Sequence, residues 1–236
     1  MKRILIFGDS ILKGIYFSEE LGRHCLYRER LAGLKSAGWQ IKNNSVMGAT
    51  VTTGESLLRR KLFEGLGTDE NSGILPSETD ERPAVILEFG GNDCDYRWKE
   101  ISENPRGDFL PGTPADRFSR QYAECVEYVR RAGAKVFLCN LVPLSADRYM
   151  DWISRDLNRD NILSWLGDVG RLARWQEFYS REAEKTARRT GCALIDLRSA
   201  FLSSPSYADL ISADGIHPTV EGHRLIDGII AEAVAG

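Results

Sequence analysis

Three joints in this chain repeat one pattern. Ala37-Gly38-Trp39, Ala132-Gly133-Ala134 and Thr190-Gly191-Cys192 each place a glycine between a helix-spaced segment and a short apolar run. Glycine there ends a helix in the left-handed conformation, and the chain turns at once into a strand. Apolar runs at 3–7, 39–43, 84–89, 135–139 and 193–195 supply five strands. Helical spacing fills the intervals at 19–37, 53–66, 169–189 and, after Pro218, 219–235. Another helix carries Phe118, Tyr122, Cys125, Val126 and Val129 and stops at Gly133. Strands alternating with helices demand a parallel sheet covered on both faces, so the chain reads as α/β. No linker divides it, and one domain over residues 1–236 is expected. Three stretches depart from the pattern: 69–82, 94–114, and 145–168 with Trp152, Trp165 and room for short helices. Long loops of this kind either carry function or are surface excursions.

A net charge of −3 offers no basic field for phosphate, so nucleic acid is not an expected partner. Arg59-Arg60-Lys61 and Arg188-Arg189 are too short to change that and read as solvated helix faces. No apolar stretch reaches membrane-spanning length, so no membrane insertion is expected. The apolar run before Gly8 is too short for the core of a secretion signal. The five cysteines are scattered without a CxxC spacing, which suggests neither a disulfide scaffold nor a zinc site. The expected setting is the cytoplasm, with reduced thiols.

Ligands of an open parallel sheet bind beyond the carboxyl ends of its strands. Polar residues gather there. Strand one runs into Gly8-Asp9-Ser10, strand two into Asn43-Asn44-Ser45-Val46-Met47-Gly48, and strand three into Gly90-Gly91-Asn92-Asp93. The segment after strand five leads to Asp214-Gly215-Ile216-His217-Pro218. A serine hydroxyl is a weak nucleophile until a base takes its proton. Histidine is the side chain suited to that near neutrality, and an aspartate on its other nitrogen fixes the tautomer. Ser10, His217 and Asp214 are therefore the candidate nucleophile, base and acid. An oxyanion needs donors aimed at it. The backbone N–H of Ser10, the backbone N–H of Gly48 and the side-chain amide of Asn92 are the candidates.

Each motif alone has a plainer reading. Gly-Asp-Ser after a strand makes a turn and a helix cap, Gly-Gly-Asn-Asp makes a turn, and Asp-x-x-His before proline caps the last helix. His24 and His223 read as surface or packing residues, Asp93 as structural, and Asp196 as a strand-end cap. All four motifs occurring in order at equivalent strand ends favours chemistry.

These residues resemble the SGNH/GDSL hydrolase family. Gly8-Asp9-Ser10-Ile11 matches its first block, with Ile in place of Leu, a volume-conserving change. The second block resembles residues 43–48, although Ser45 and Met47 stand where relatives often carry small residues. Gly90-Gly91-Asn92-Asp93 and Asp214-Gly215-Ile216-His217-Pro218 match the later blocks. The resemblance implies a flavodoxin-like three-layer α/β/α sandwich with a five-stranded parallel sheet. It implies Ser10, Asp214 and His217 as a triad, with Gly48 and Asn92 completing the oxyanion hole. It also implies hydrolysis of a small acyl or acetyl ester, on a carbohydrate or lipid, through an acyl-enzyme, with no metal or cofactor. The loops 94–114 and 145–168 match no block and are expected to shape the pocket. Other readings use the same residues differently: an acyltransferase changes only the acceptor, and a binding module would keep the fold without the chemistry. A nucleotide enzyme lacks its G-x-G-x-x-G or Walker loop here, and the G-x-S-x-G elbow of α/β-hydrolases is absent.

Overall fold

The computed structural model describes residues 2–67 and 82–235. The 69–82 stretch lies outside them except for Arg82. In chain order the elements are β1 (Arg3–Gly8), α1 (Ser10–Lys13), β2 (Ile15–Ser18), β3 (Arg23–Leu26), α2 (Ala32–Ser36), β4 (Gln40–Asn43), α3 (Val51–Leu66), β5 (Ala84–Glu88) and α4 (Trp98–Glu103). They continue with α5 (Ala115–Arg131), β6 (Lys135–Cys139), α6 (Ala146–Ile153), α7 (Arg159–Leu166), α8 (Arg171–Thr190), β7 (Ala193–Ile195), α9 (Leu197–Leu202), α10 (Tyr207–Leu210) and α11 (Val220–Ala235).

Five strands form one parallel sheet in the order β4-β1-β5-β6-β7. This is the flavodoxin-like order, and its switch point lies between β1 and β5. Strand alternation sends side chains to opposite faces. Leu5, Phe7, Val85 and Leu87 pack under α3, α5 and α8, meeting Leu58, Leu62, Phe118, Tyr122 and Tyr179. Ile4, Ile6 and Ile86 pack on the other face against Leu34 of α2, Phe201 of α9 and Ile226 and Ile230 of α11. Burial on both faces explains why these strands read as unbroken apolar runs. The joint glycines Gly38, Gly133 and Gly191 all take positive φ, as the sequence pattern requires.

One expected element is wrong. Residues 19–37 do not form a helix; an antiparallel hairpin occupies 15–26 and only Ala32–Ser36 is helical. Gly22 sits at φ 59° in the turn, where the Gly22 N–H bonds the Glu19 carbonyl. Ile15, Tyr16 and Phe17 are β-branched or aromatic residues that favour a pleated surface. Their register pairs Tyr16 with Cys25 and Phe17 with His24. The two long loops also hold more structure than expected. Helices α4, α6 and α7 share a third apolar cluster of Trp98, Ile101, Tyr149, Met150, Ile162 and Leu166.

Candidate active site

Strand β1 delivers Asp9 and Ser10 at its carboxyl end. Asp9 caps the single turn of α1, its Oδ1 accepting from the Ile11 N–H at 2.8 Å. Ser10 is the first residue of that turn and is buried. The Asp214–His217 turn lies against it from the far end of the chain. Asp214 Oδ1 accepts from the backbone N–H groups of Ile216 and His217 at 3.2 and 3.0 Å. Gly215 makes this turn possible, with φ 81° and no room for a side chain: a Cβ there would lie 2.3 Å from the Tyr149 nitrogen. The Ser212 N–H bonds the His217 carbonyl at 2.7 Å and closes the turn.

The three candidate residues meet. His217 Nδ1 lies 2.6 Å from Asp214 Oδ2, and His217 Nε2 lies 2.9 Å from Ser10 Oγ. A carboxylate at Nδ1 holds the proton there, so Nε2 presents its lone pair to the Ser10 hydroxyl. Burial pushes the Asp214 pKa up, but the hydrogen bond and charge of His217 outweigh it and leave the carboxyl below its ordinary value. Asp214 therefore stays ionised beside the imidazole.

Strand β5 delivers Asn92 across the switch point. Its Nδ2 donates to Asp9 Oδ2 at 3.0 Å and to the Ala49 carbonyl at 3.1 Å. Both amide hydrogens are thus engaged in the resting site. Gly48 lies one residue before Ala49, exposed and at φ 76°. The backbone N–H groups of Gly48 and Ser10 meet no protein acceptor among the described residues. Asn43 is structural, because its Nδ2 donates to the Leu12 carbonyl at 2.7 Å and ties β4 to α1.

Carboxyl groups crowd beneath the serine. Glu88 at the end of β5 is buried, and its Oε2 has no hydrogen-bond partner among the described residues. Burial, then the neighbouring Asp9, push its pKa well up. Burial likewise raises Asp9, against the opposing bond from the Ile11 N–H. Asp93 accepts twice from the Val51 N–H, at 3.1 and 3.0 Å, and so caps α3; burial raises its pKa to about 6. Asp93 is structural, as expected. So is Asp196, which accepts from the Ser199 N–H at 3.0 Å and from Asn140 Nδ2 at 2.7 Å.

A cavity of about 80 Å³ opens beside Ser10. Its walls include Trp98, Leu141, Val142, Tyr149, Leu166 and Trp175. The two unassigned loops therefore do shape the pocket. Tyr96 joins Trp98 on the wall, whereas Trp165 and Phe109 pack edge-on behind them. Cys94 lines the same cavity, but burial pushes its thiol pKa well up and its Sγ donates to the Gly91 carbonyl. It is not set up as a nucleophile.

The sequence reading missed His24. The hairpin brings its Nε2 to 3.0 Å from Asp214 Oδ2, the same oxygen that faces His217. Their ring centroids are 4.9 Å apart, near edge-on. The contact spans 190 residues, so no local spacing announces it. The available signal was the β-branched and aromatic run Ile15-Tyr16-Phe17 ahead of the turn at Gly22. His24, Asp214 and His217 also form a group whose ligand atoms lie within 4.8 Å, close enough to surround a cation. In the structure these atoms bond one another. His223, by contrast, is the packing residue expected: buried, with Nε2 donating to the Ile15 carbonyl at 2.8 Å.

A buried serine, imidazole and carboxylate thus stand in line at the carboxyl ends of a flavodoxin-like sheet. The chain belongs to the GDSL-like lipase/acylhydrolase family, whose pattern it matches over residues 6–225. Among solved structures it is similar to a lipase/acylhydrolase from Enterococcus faecalis, at 17% identity over 99% of this chain and 95% of that one, with a TM-score of 0.61. It is also similar to an acetyl xylan esterase, AlAXEase, at 21% identity over 98% and 99% of the two chains, with a TM-score of 0.58. An acetylxylan esterase from Geobacillus stearothermophilus matches at 17% identity over 99% and 94%, with a TM-score of 0.58. At these identities the likeness carries the fold. No curated protein matches the chain. No helix among the described residues is long and apolar enough to cross a membrane.

Proposed function

We propose that this hydrolase is a carboxylic-ester hydrolase acting through an acyl-enzyme on Ser10. One observation carries the reading: His217 stands between Ser10 Oγ at 2.9 Å and Asp214 Oδ2 at 2.6 Å, next to the cavity. In the first step His217 Nε2 takes the Ser10 proton while Oγ bonds the ester carbonyl carbon. The imidazolium rests on Asp214 and then hands its proton to the leaving alcohol as the C–O bond breaks. Water, deprotonated by the same nitrogen, attacks the acyl-serine; the acid leaves and Ser10 regains its proton. The N–H groups of Ser10 and Gly48 are the unoccupied donors for the oxyanion. Asn92 joins them when one of its hydrogens turns from Ala49 or Asp9 toward the developing charge.

The cavity suggests the acyl group. Its wall is largely apolar and aromatic, with Trp98, Leu141, Val142, Tyr149, Leu166 and Trp175 on it. Acetyl, the group removed by the two xylan esterases, would leave most of that apolar wall uncovered. A longer acyl chain covers more of it and buries apolar surface at roughly 25 cal/mol per Å².

Hydrolysis of p-nitrophenyl acetate, butyrate, hexanoate and decanoate tests both parts. kcat/KM is expected to be higher for butyrate and hexanoate than for acetate, and Ser10→Ala to lower it at least about 10³-fold with the fold retained. A peak at acetate removes the cavity from the acyl site. A Ser10→Ala enzyme as fast as the parent removes the mechanism.

A further inference from the structure

We propose that His24 is a positioning residue for this hydrolysis: it orients the Asp214 carboxylate as a second imidazole donor. The inference rests on the roles given above to Ser10, His217 and Asp214. Asp214 accepts four hydrogen bonds, two at Oδ1 from backbone N–H groups and two at Oδ2 from His217 Nδ1 and His24 Nε2. A carboxylate offers about four acceptor positions, so His24 fills the last one. Asp214 is fully buried, and an unfilled position there would carry a desolvation cost and let the carboxylate turn away from His217.

The hairpin holds His24 firmly enough to do this. Its ring meets Phe17 at 5.4 Å and Trp152 at 5.6 Å between centroids, both near edge-on. The Phe17 N–H donates to Ser212 Oγ at 3.3 Å, which ties the hairpin to the turn carrying Asp214. His24 is not among the residues that line the cavity beside Ser10.

Donation through Nε2 leaves Nδ1 of neutral His24 without a proton. That nitrogen has no protein partner among the described residues, and the side chain is 28% exposed. The groups facing the ring are Asp214 and His217 from the turn. Arg155 stands behind the aromatic pair, its guanidinium carbon 3.8 Å from the Trp152 ring centre and 5.8 Å from that of Phe17. During attack the Ser10 proton moves to His217, and the Asp214 carboxylate balances the imidazolium.

The test compares the full chain with His24→Leu and His24→Gln. At about pH 8, where histidine is neutral, His24→Leu is expected to lower kcat about tenfold with KM unchanged. It also moves the low-field NMR resonance of the His217 Nδ1 proton, which is visible without substrate. His24→Gln places an amide nitrogen near the position of Nε2 and restores both readings. An unmoved resonance, an unchanged kcat in His24→Leu, or no rescue by glutamine overturns the proposal. Should the leucine variant not fold, His24→Phe, which keeps a ring against Phe17 and Trp152 but lacks the donor, is read by the same kcat and resonance. Should Ser10 prove dispensable, the esterase reading fails, while the resonance still reports whether His24 orients Asp214.

Discussion

The ends of the parallel sheet and the 15–26 hairpin hold the same site from opposite sides, by different physics. The sheet ends present groups on buried backbone: Asp9 and Ser10 are nearly inaccessible, and Glu88 and Asp93 beneath them are raised in pKa by burial. The hairpin is a two-stranded ribbon outside the main sheet, and its contribution to the site is one partly exposed imidazole. Two strands alone are marginal, and this pair is held by what it touches: Trp152, Ser212 and His223. On the proposed reading the sheet positions the nucleophile, and the hairpin steadies the carboxylate behind the base. Asp214 is where the two meet.

The largest effect should come from cutting that meeting point. Asp214→Asn is expected to lower kcat/KM about 10³–10⁴-fold, because a neutral amide neither holds the His217 tautomer nor stabilises its imidazolium. In that background His24→Leu should cost nothing further, since both act through one carboxylate. A further loss in the double variant would mean that the hairpin reaches the site by a second route. Asn92→Ala tests the sheet side alone. Loss of one oxyanion donor costs on the order of 10²-fold in kcat. Steady-state kinetics checks it: a change in KM with kcat intact would show that Asn92 serves only to link Asp9 with Ala49.

The same contrast explains what could be read in advance. Strands buried on both faces leave continuous apolar runs, and β1, β4, β5, β6 and β7 fell within a residue of their expected bounds. Polar residues at their ends, Ser10 and Asn92 among them, follow from topology once the sheet is parallel. The hairpin was illegible because Glu19, Glu20, Glu29 and Lys35 suit a surface helix, while the tertiary partners of Phe17 and His24 lie beyond residue 150. Three-dimensional packing outweighed local preference. The engagement of both Asn92 hydrogens was equally hidden, since nothing in a Gly-Gly-Asn-Asp motif names Ala49 as an acceptor.

The smallest effect on rate, and a sharp one on stability, belongs to the base of the hairpin. His223 donates Nε2–H to the Ile15 carbonyl and stacks on Tyr27 at 5.8 Å, while its buried Nδ1 has no partner among the described residues. Burial, then the nearby Arg30 charge, lower its pKa to about 3. The unfolded chain takes up this proton near pH 6.5, the ordinary histidine value, and the folded protein resists until about pH 3. Between those limits the unfolded state binds more protons, so stability falls as pH falls through the window. The full loss is on the order of 5 kcal/mol. His223→Gln keeps a donor for Ile15 and removes the titration. Denaturant unfolding at about pH 7 and pH 4 should show the drop in the parent and a smaller one in the variant, with kcat at about pH 7 within a few-fold of the parent. Equal drops in both would place the acid sensitivity elsewhere. A large loss of kcat at neutral pH would show instead that the base of the hairpin is coupled to Asp214 as tightly as the sheet ends are.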